Sequence, residues 1–170
     1  MNPDDLAFLT ALHQDPEVMK YIGMSRSQEM VAARLEKIIA KYSERAGFGI
    51  WMACLIDSDV AIGWACLKDL DGSTYDEIGY RLATDYWGKG YATELAIALV
   101  SYAFTSLNLA EISGVSNPDN LGSIAVLRKA GLIFRRKAQY YDSIVDYFSL
   151  TKEGWLRKSV DSGDSLLSKS

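Results

Sequence analysis

Two glycines one residue apart, Gly88 and Gly90, sit inside the segment Tyr86-Trp87-Gly88-Lys89-Gly90-Tyr91-Ala92-Thr93-Glu94. Glycine has no Cβ and tolerates positive φ, so backbone N–H groups around it can converge at close range. The segment follows a strand-like run, Asp76 to Ala83, and precedes an apolar helical run, Leu95 to Leu107. The first turn of a helix carries N–H groups without partners and the positive end of the dipole. Strand, glycine loop and helix start together make an anion cradle, and the expected guest is a phosphate or pyrophosphate. The spacing matches neither the Walker loop nor the G-x-G-x-x-G dinucleotide fingerprint. The structural alternative is a tight turn that holds no ligand.

The stretch Trp87 to Ala92 resembles the R/Q-x-x-G-x-G/A loop of the GNAT superfamily of N-acetyltransferases, with Trp87 at the R/Q position, Gly90 at the first small position and Ala92 at the second. The wording EIGYRLATDYWGKGYATE is similar to the RimJ/RimL-like branch. A second segment agrees. NLGSIAVLRKAGLIF resembles the family's N-x-x-S/A…K-x-G-F stretch, with Asn120, Ser123, Lys129 and Gly131 in place and Leu132 where Phe is usual. The resemblance runs from about Ala53 to Thr151. It implies acetyl-CoA as cosubstrate. Its pyrophosphate would lie on Trp87, Gly88, Lys89, Gly90, Tyr91, Ala92 and Thr93. Its pantetheine would run along the backbone of Ile78, Tyr80 and Leu82, where the family carries a strand bulge. Asn117, Asn120, Ser123 and Lys129 would flank the pantetheine and the 3′-phosphate end. Asn120 is also a good helix cap, and both roles can coexist because a cap uses one side-chain oxygen.

Acetyl transfer from a thioester to an amine needs a bound donor, an N–H for the developing oxyanion, a route for the amine proton and a stabilised thiolate. Beside the donor strand Glu77 is the first candidate base, with Asp142 and Glu94 behind it. The Tyr that many family members carry seven residues after the helix-opening Asn is here Leu127. The remaining hydroxyls for the thiolate are Ser123 on that helix and Tyr140 or Tyr141 after the next strand. This modest equipment favours an amine of low pKa, such as an α-amino group near ~8 rather than a lysine near ~10.4.

The chain has 170 residues, enough for one domain with a sizeable core. A net charge of −4 argues against a nucleic-acid partner, which calls for clustered cations. Arg135-Arg136-Lys137 is the one basic run and reads as a solvated strand end. No apolar run approaches a membrane span and no signal peptide is visible, so a cytoplasmic protein is expected. Cys54 and Cys66 read as buried reduced thiols, and the single histidine, His13, as a surface residue, with no metal site expected.

Periodicity and stop signals order the elements. Asn2-Pro3-Asp4-Asp5 starts a first helix whose apolar face is Leu6, Leu9 and Leu12, and Asp15-Pro16-Glu17 starts a second. Ser25 with Gln28 forms a capping box for a helix carrying Val31, Leu35, Ile38 and Tyr42, ended by Gly47. Strands are predicted at Phe48–Ile56, Val60–Lys68, Tyr75–Ala83, Glu111–Ser116, Leu132–Tyr140 and Ile144–Thr151, with a turn at Asp142-Ser143. The helical crossover from 91 to 107 requires the third and fourth strands to run parallel. A short helix is predicted over 151–158 and a polar tail over 159–170, leaving 1–158 as a single domain.

The expected fold is therefore mixed α/β: a mostly antiparallel central sheet with one parallel pair and helices on both faces. The strand that usually opens such chains is missing, which leaves one sheet edge bare and favours a homodimer that covers it. The function expected is N-acetyl transfer to a primary amine, on a small molecule or a peptide N-terminus. The competing classes are a non-catalytic acyl-CoA-binding sensor or scaffold and a nucleotide-binding regulator.

Overall fold

The structure is a computed structural model that describes residues 1–41 and 44–158. Asn2 caps a 3₁₀ turn, Pro3–Asp5, by accepting from the Asp4 amide while Asp5 reaches back to the Asn2 amide. The turn runs straight into α1 (Leu6–Gln14). Asp15 then accepts from the Glu17 and Val18 amides and opens α2 (Pro16–Met19). Third comes α3 (Gln28–Lys41), capped by Ser27, whose Oγ accepts the Met30 amide at 3.4 Å. The cap is thus Ser27 and not Ser25, because a hydroxyl must stand immediately before the first helical residue to reach the third amide. Tyr42 and the tail 159–170 lie outside the described residues.

Six strands follow: β1 (Gly49–Cys54), β2 (Ala61–Asp69), β3 (Asp76–Leu82), β4 (Glu111–Ser116), β5 (Ile133–Tyr140) and β6 (Ser143–Thr151). Between them lie α4 (Tyr91–Thr105) after β3 and α5 (Leu121–Lys129) after β4. The sheet order is β1-β2-β3-β4-β6-β5. All neighbours are antiparallel except β3 and β4, which are parallel, as the helical crossover requires. β1 is an edge strand of this sheet. Residues 152–158 are helical, and Lys158 Nζ donates to the Gly131 carbonyl at 3.0 Å.

The two sheet faces bury different partners, as strand alternation dictates. On one face Ala65, Leu67 and Ile78 pack with Leu99, Val100 and Phe104 of α4, Ile124 and Leu127 of α5, and Phe148 and Leu150 of β6. On the other, Leu9, Val31 and Leu35 of α1 and α3 pack against Met52 and Trp64. The β5–β6 turn is centred on Tyr141 and Asp142, both at positive φ (53° and 57°), one residue earlier than the spacing predicted. A β-hairpin closed by Tyr140↔Ser143 needs two left-handed residues to match its twist, and these two supply them.

Candidate active site

The glycine loop stands where β3 hands over to α4. Gly88 and Gly90 have φ of 71° and 92°. A Cβ on either would meet no atom within 4 Å, so conformation rather than crowding requires glycine, and the space before the loop is open. Gly90 is the N-cap of α4, and the first helical bond runs from the Glu94 amide to its carbonyl at 3.0 Å. The amides of Tyr91, Ala92 and Thr93 therefore precede the ladder, which is the arrangement that suits a phosphate. Trp87 locks the loop to the sheet by donating its indole N–H to the Leu82 carbonyl at 2.8 Å. Tyr86 and Tyr91 pack with Leu82 and Leu95 beneath it.

Beside this loop the sheet opens. β3 and β4 are bridged at Glu77–Ser113 alone, where Ser113 Oγ also donates to the Asp76 carbonyl at 2.7 Å. Beyond that bridge the strands diverge toward their C-terminal ends. The register of β3 on β2 runs unbroken from Asp69↔Asp76 to Gly63↔Leu82, and the Ala83 amide bonds the Ile62 carbonyl at 2.9 Å. Antiparallel pairing alternates, so 77, 79 and 81 bond β2 while the amides of Ile78, Tyr80 and Leu82 face the β4 side. The expected bulge in β3 is absent. The splay between parallel strands frees the Tyr80 and Leu82 groups without one, while Ile78 is taken up by the bridge to Ser113.

Across the splay, Tyr80 O–H points to Ser123 Oγ at 3.3 Å. Ser123 is held in the first turn of α5, where its amide donates to Asn120 Oδ1 at 3.0 Å. Asn117 Oδ1 accepts the Asp119 amide at 2.9 Å and so shapes the turn leading into that helix. Lys129 is exposed at the far end of α5. Leu127, at the position of the family's usual acid, is 2% exposed and packs against Gly114. It points into the core, not into the splay.

Glu77 projects from the opposite face of β3. It is 5% exposed, paired with Lys68 and hydrogen-bonded by the Tyr141 hydroxyl. Lys68 faces it directly across the β2–β3 ladder. Burial pushes the Glu77 carboxyl above its ordinary range, with Lys68 pulling the other way. Burial alone would lower Lys68, but Glu77 and Tyr141 outweigh it and hold the ammonium above its usual value. Burial, then the Glu77 charge, raises the Tyr141 phenol to about 12. Tyr141 is tied down further by its amide, which donates to Asp71 Oδ2 at 2.6 Å. These bonds offset the cost of a left-handed tyrosine, of order 1–2 kcal/mol. Asp142 and Glu94, the other candidate bases, are exposed. Tyr140 stacks on Tyr147, with ring centroids 6.0 Å apart. Glu77 and Tyr141 are therefore together, whereas Ser123 lies with Tyr80 on the other side of the sheet.

Two sequence expectations are corrected here. His13 is 5% exposed, not a surface residue. Its Nδ1 lies 2.8 Å from Arg81 Nη1, and burial and then the Arg81 charge lower its pKa from 6.5 to about 4. A neutral imidazole accepts through Nδ1, since arginine can only donate. The periodicity of α1 hid this, because a histidine one position beyond an apolar stripe reads as solvent-facing. Cys54 is exposed, because it stands at the end of β1 beside a register shift. Cys66 is buried as expected, and burial raises its thiol to about 12. Arg81 and Lys68 are buried-side partners of His13 and Glu77 that motif reading passes over. The available signal is strand parity, which sets Lys68, Glu77 and Arg81 on one face.

A model of an acetyltransferase (GNAT) domain matches residues 1–133. An uncharacterized N-acetyltransferase p20 of Bacillus licheniformis is 32% identical over 140 residues, 78% of this chain and 79% of the relative. An FsC-acetyl coenzyme A-N(2)-transacetylase of Aspergillus fumigatus is 30% identical over 168 residues, 88% of this chain and 71% of the relative. Among solved structures, aminoglycoside acetyltransferase AAC(6′)-Ib in complex with coenzyme A superposes with a TM-score of 0.78 at 22% identity, covering 92% of this chain and 95% of that one. With an open glycine loop at a helix start, a splayed parallel strand pair and this family match, the chain belongs to the GNAT acetyltransferases and is an acetyl-CoA-dependent acyltransferase, with acetyl-CoA as its cosubstrate.

Proposed function

We propose that this enzyme transfers acetyl to the primary amine of a small molecule or a peptide N-terminus, and that it belongs to the RimJ/RimL-like branch. The observation that carries the reading is the open loop with Gly88 and Gly90 at positive φ, set at the mouth of the β3–β4 splay. In this reading the amides of the loop Trp87–Thr93 hold the pyrophosphate, and the Tyr80 and Leu82 backbone amides receive the pantetheine and the thioester oxygen. Asn117, Asn120 and Lys129 flank the remaining length of the donor. The composition and the absence of any helix long and apolar enough to cross a membrane among the described residues accord with work in the cytoplasm.

The reaction forms an amide N–C bond and breaks the C–S bond, so the amine must lose a proton and the thiolate must gain one. Glu77, buried and of raised proton affinity, takes the amine's proton through water, with Tyr141 and Lys68 holding the carboxylate in place. The Tyr80–Ser123 hydroxyl pair serves the thiolate on the other face. Leu127 supplies no acid, so the thiolate's proton falls to that pair. Release of free CoA thiol across a panel of small amines and peptide N-termini tests the reading. Amine-dependent release is expected, and acetyl-CoA binding with no release for any of these amines would overturn the acceptor class.

A further inference from the structure

Arg81 stands on the face of β3 opposite the Tyr80 hydroxyl, under α1 and α2. One Nη donates to His13 Nδ1 at 2.8 Å and contacts Met19 Sδ at 3.6 Å. Its guanidinium lies 5.1 Å from the centre of the Trp64 ring. Its Nε is buried with no hydrogen-bond partner. Such an orphaned donor in a guanidinium is costly, because the charge has surrendered water without gaining a carboxylate. Its other charged neighbours worsen the position. Arg26 and Arg34 are near enough to depress its proton affinity, after burial, to about 10. It stays charged at neutral pH all the same.

None of the three arginines takes part in an ion pair among the described residues. Glu77, the one buried carboxylate of the described residues, is already held by Lys68 and Tyr141. Arg26 comes from the segment between α2 and α3, and its amide donates to the His13 carbonyl at 3.4 Å. Arg34 comes from α3 and, with His13 and Trp64, lines a cleft between α1, α3 and the sheet. Neutral His13 adds no negative charge. Three elements thus bring cations to the neighbourhood of His13, and none of the three arginines is paired with a carboxylate among the described residues.

Arg81 itself adjoins the splay through its strand. Arg81 is flanked in sequence by Tyr80 and Leu82, whose amides face the β4 side, and one strand residue is a step of only ~3.3 Å. An anion on Arg81 would hold an attached amine at the open end of the splay, with Glu77 further along the same face. A guanidinium presents planar paired N–H donors that match a carboxylate bidentately. From the buried Arg81 Nε without a partner, the absence of any acid paired to Arg81 among the described residues, its neighbours Arg26 and Arg34, and the place of Arg81 beside the splay, we infer that the acceptor is an amine carrying a carboxylate. The inference rests on the transferase reading above and names the substrate class for it.

The test compares α-amino acids with their C-terminal amides, and includes polyamines, with acetyl-CoA turnover followed by free thiol release. The acids should exceed their amides in kcat/KM by about tenfold or more. In Arg81→Met and Arg34→Met that ratio should fall toward one, and Arg81→Lys covers the case in which Arg81→Met does not fold. A second readout needs no turnover: N-acetyl amino acids should raise the melting temperature of the parent protein more than N-acetyl amino acid amides, and the arginine variants should lose the difference. The acetyl-CoA melting shift, kept in the variants, shows that the donor site is intact. Amides or polyamines turned over as well as the acids would overturn the inference while leaving the transferase reading in place. Equal stabilisation by acid and amide would overturn it too. Carboxylate binding without turnover of any acid-bearing amine would overturn the acceptor assignment, and no turnover of any amine at all would overturn the transferase reading with it.

Discussion

Three residues carry predictions that turn on single atoms. Gly90, at φ 92°, caps α4 with nothing in front of it. Acetyl-CoA at a hundredfold excess over its Kd should stabilise the protein by ~2.7 kcal/mol, a melting shift of roughly 5–10 °C. Gly90→Val strains the backbone and fills the approach to the amides, so that shift should vanish; a folded variant that keeps it would refute the loop assignment. Glu77 must be ionised to take a proton, and burial raises its carboxyl. The rate should therefore climb with pH through that raised value, and Glu77→Gln should lower turnover by about 10²–10⁴ with acetyl-CoA affinity retained. His13 titrates at 6.5 when unfolded and at about 4 when folded. Between those values the unfolded chain binds more protons, so stability is fully present above pH 6.5 and falls as pH drops toward 4. The urea midpoint should show that decline, and His13→Gln, which can still accept from Arg81, should flatten it.

At the scale of elements, α5 turns two faces to the molecule with different consequences. Its first turn offers Ser123 to Tyr80 across the splay, and its second buries Leu127 against Gly114. Tyr80→Phe removes the hydroxyl and leaves the ring's packing, so it should lower kcat with little change in melting temperature. Leu127→Tyr, which would restore the acid usual in the family, instead inserts a larger polar side chain into a filled site. It should cost about 1–3 kcal/mol by denaturant titration and bring no gain in rate. A faster enzyme would mean that α5 can rotate the new hydroxyl into the splay. The splay itself is an element-scale device. Because β3 and β4 part after a single bridge, backbone donors are exposed in the middle of a sheet rather than at its rim.

For the whole molecule, the edge strand β1 is the feature that bears on assembly. Gly49–Cys54 carries no charge and no proline, the usual protections of an edge strand. An uncharged edge strand of this kind favours association with a second copy of itself. A homodimer is the expected outcome of sedimentation equilibrium at micromolar protein, and a soluble monomer at that concentration would sink the idea. The charge distribution also acts at this scale. A chain of net charge −4 sets Arg26, Arg34 and Arg81 around His13, so this cationic character is local rather than general.

What the sequence determined by itself was local in cause. Loop and helix starts followed from glycine φ preferences, from Asn2, Asp15 and Asn120 as caps, and from apolar spacing, all of which act within a few residues. The parallel pair followed as well, because a helical crossover leaves a strand no other direction. The proposed donor side was readable for the same reason: loop, strand end and helix start are contiguous in the chain. The proposed acceptor side was not. Tyr141 meets Glu77 from 64 positions away, and Arg81 meets His13 from 68. No periodicity links such residues. Their partnership exists only after strand register sets which side chains share a face and the helices bury that face, since it is burial that removes water and makes each polar neighbour count.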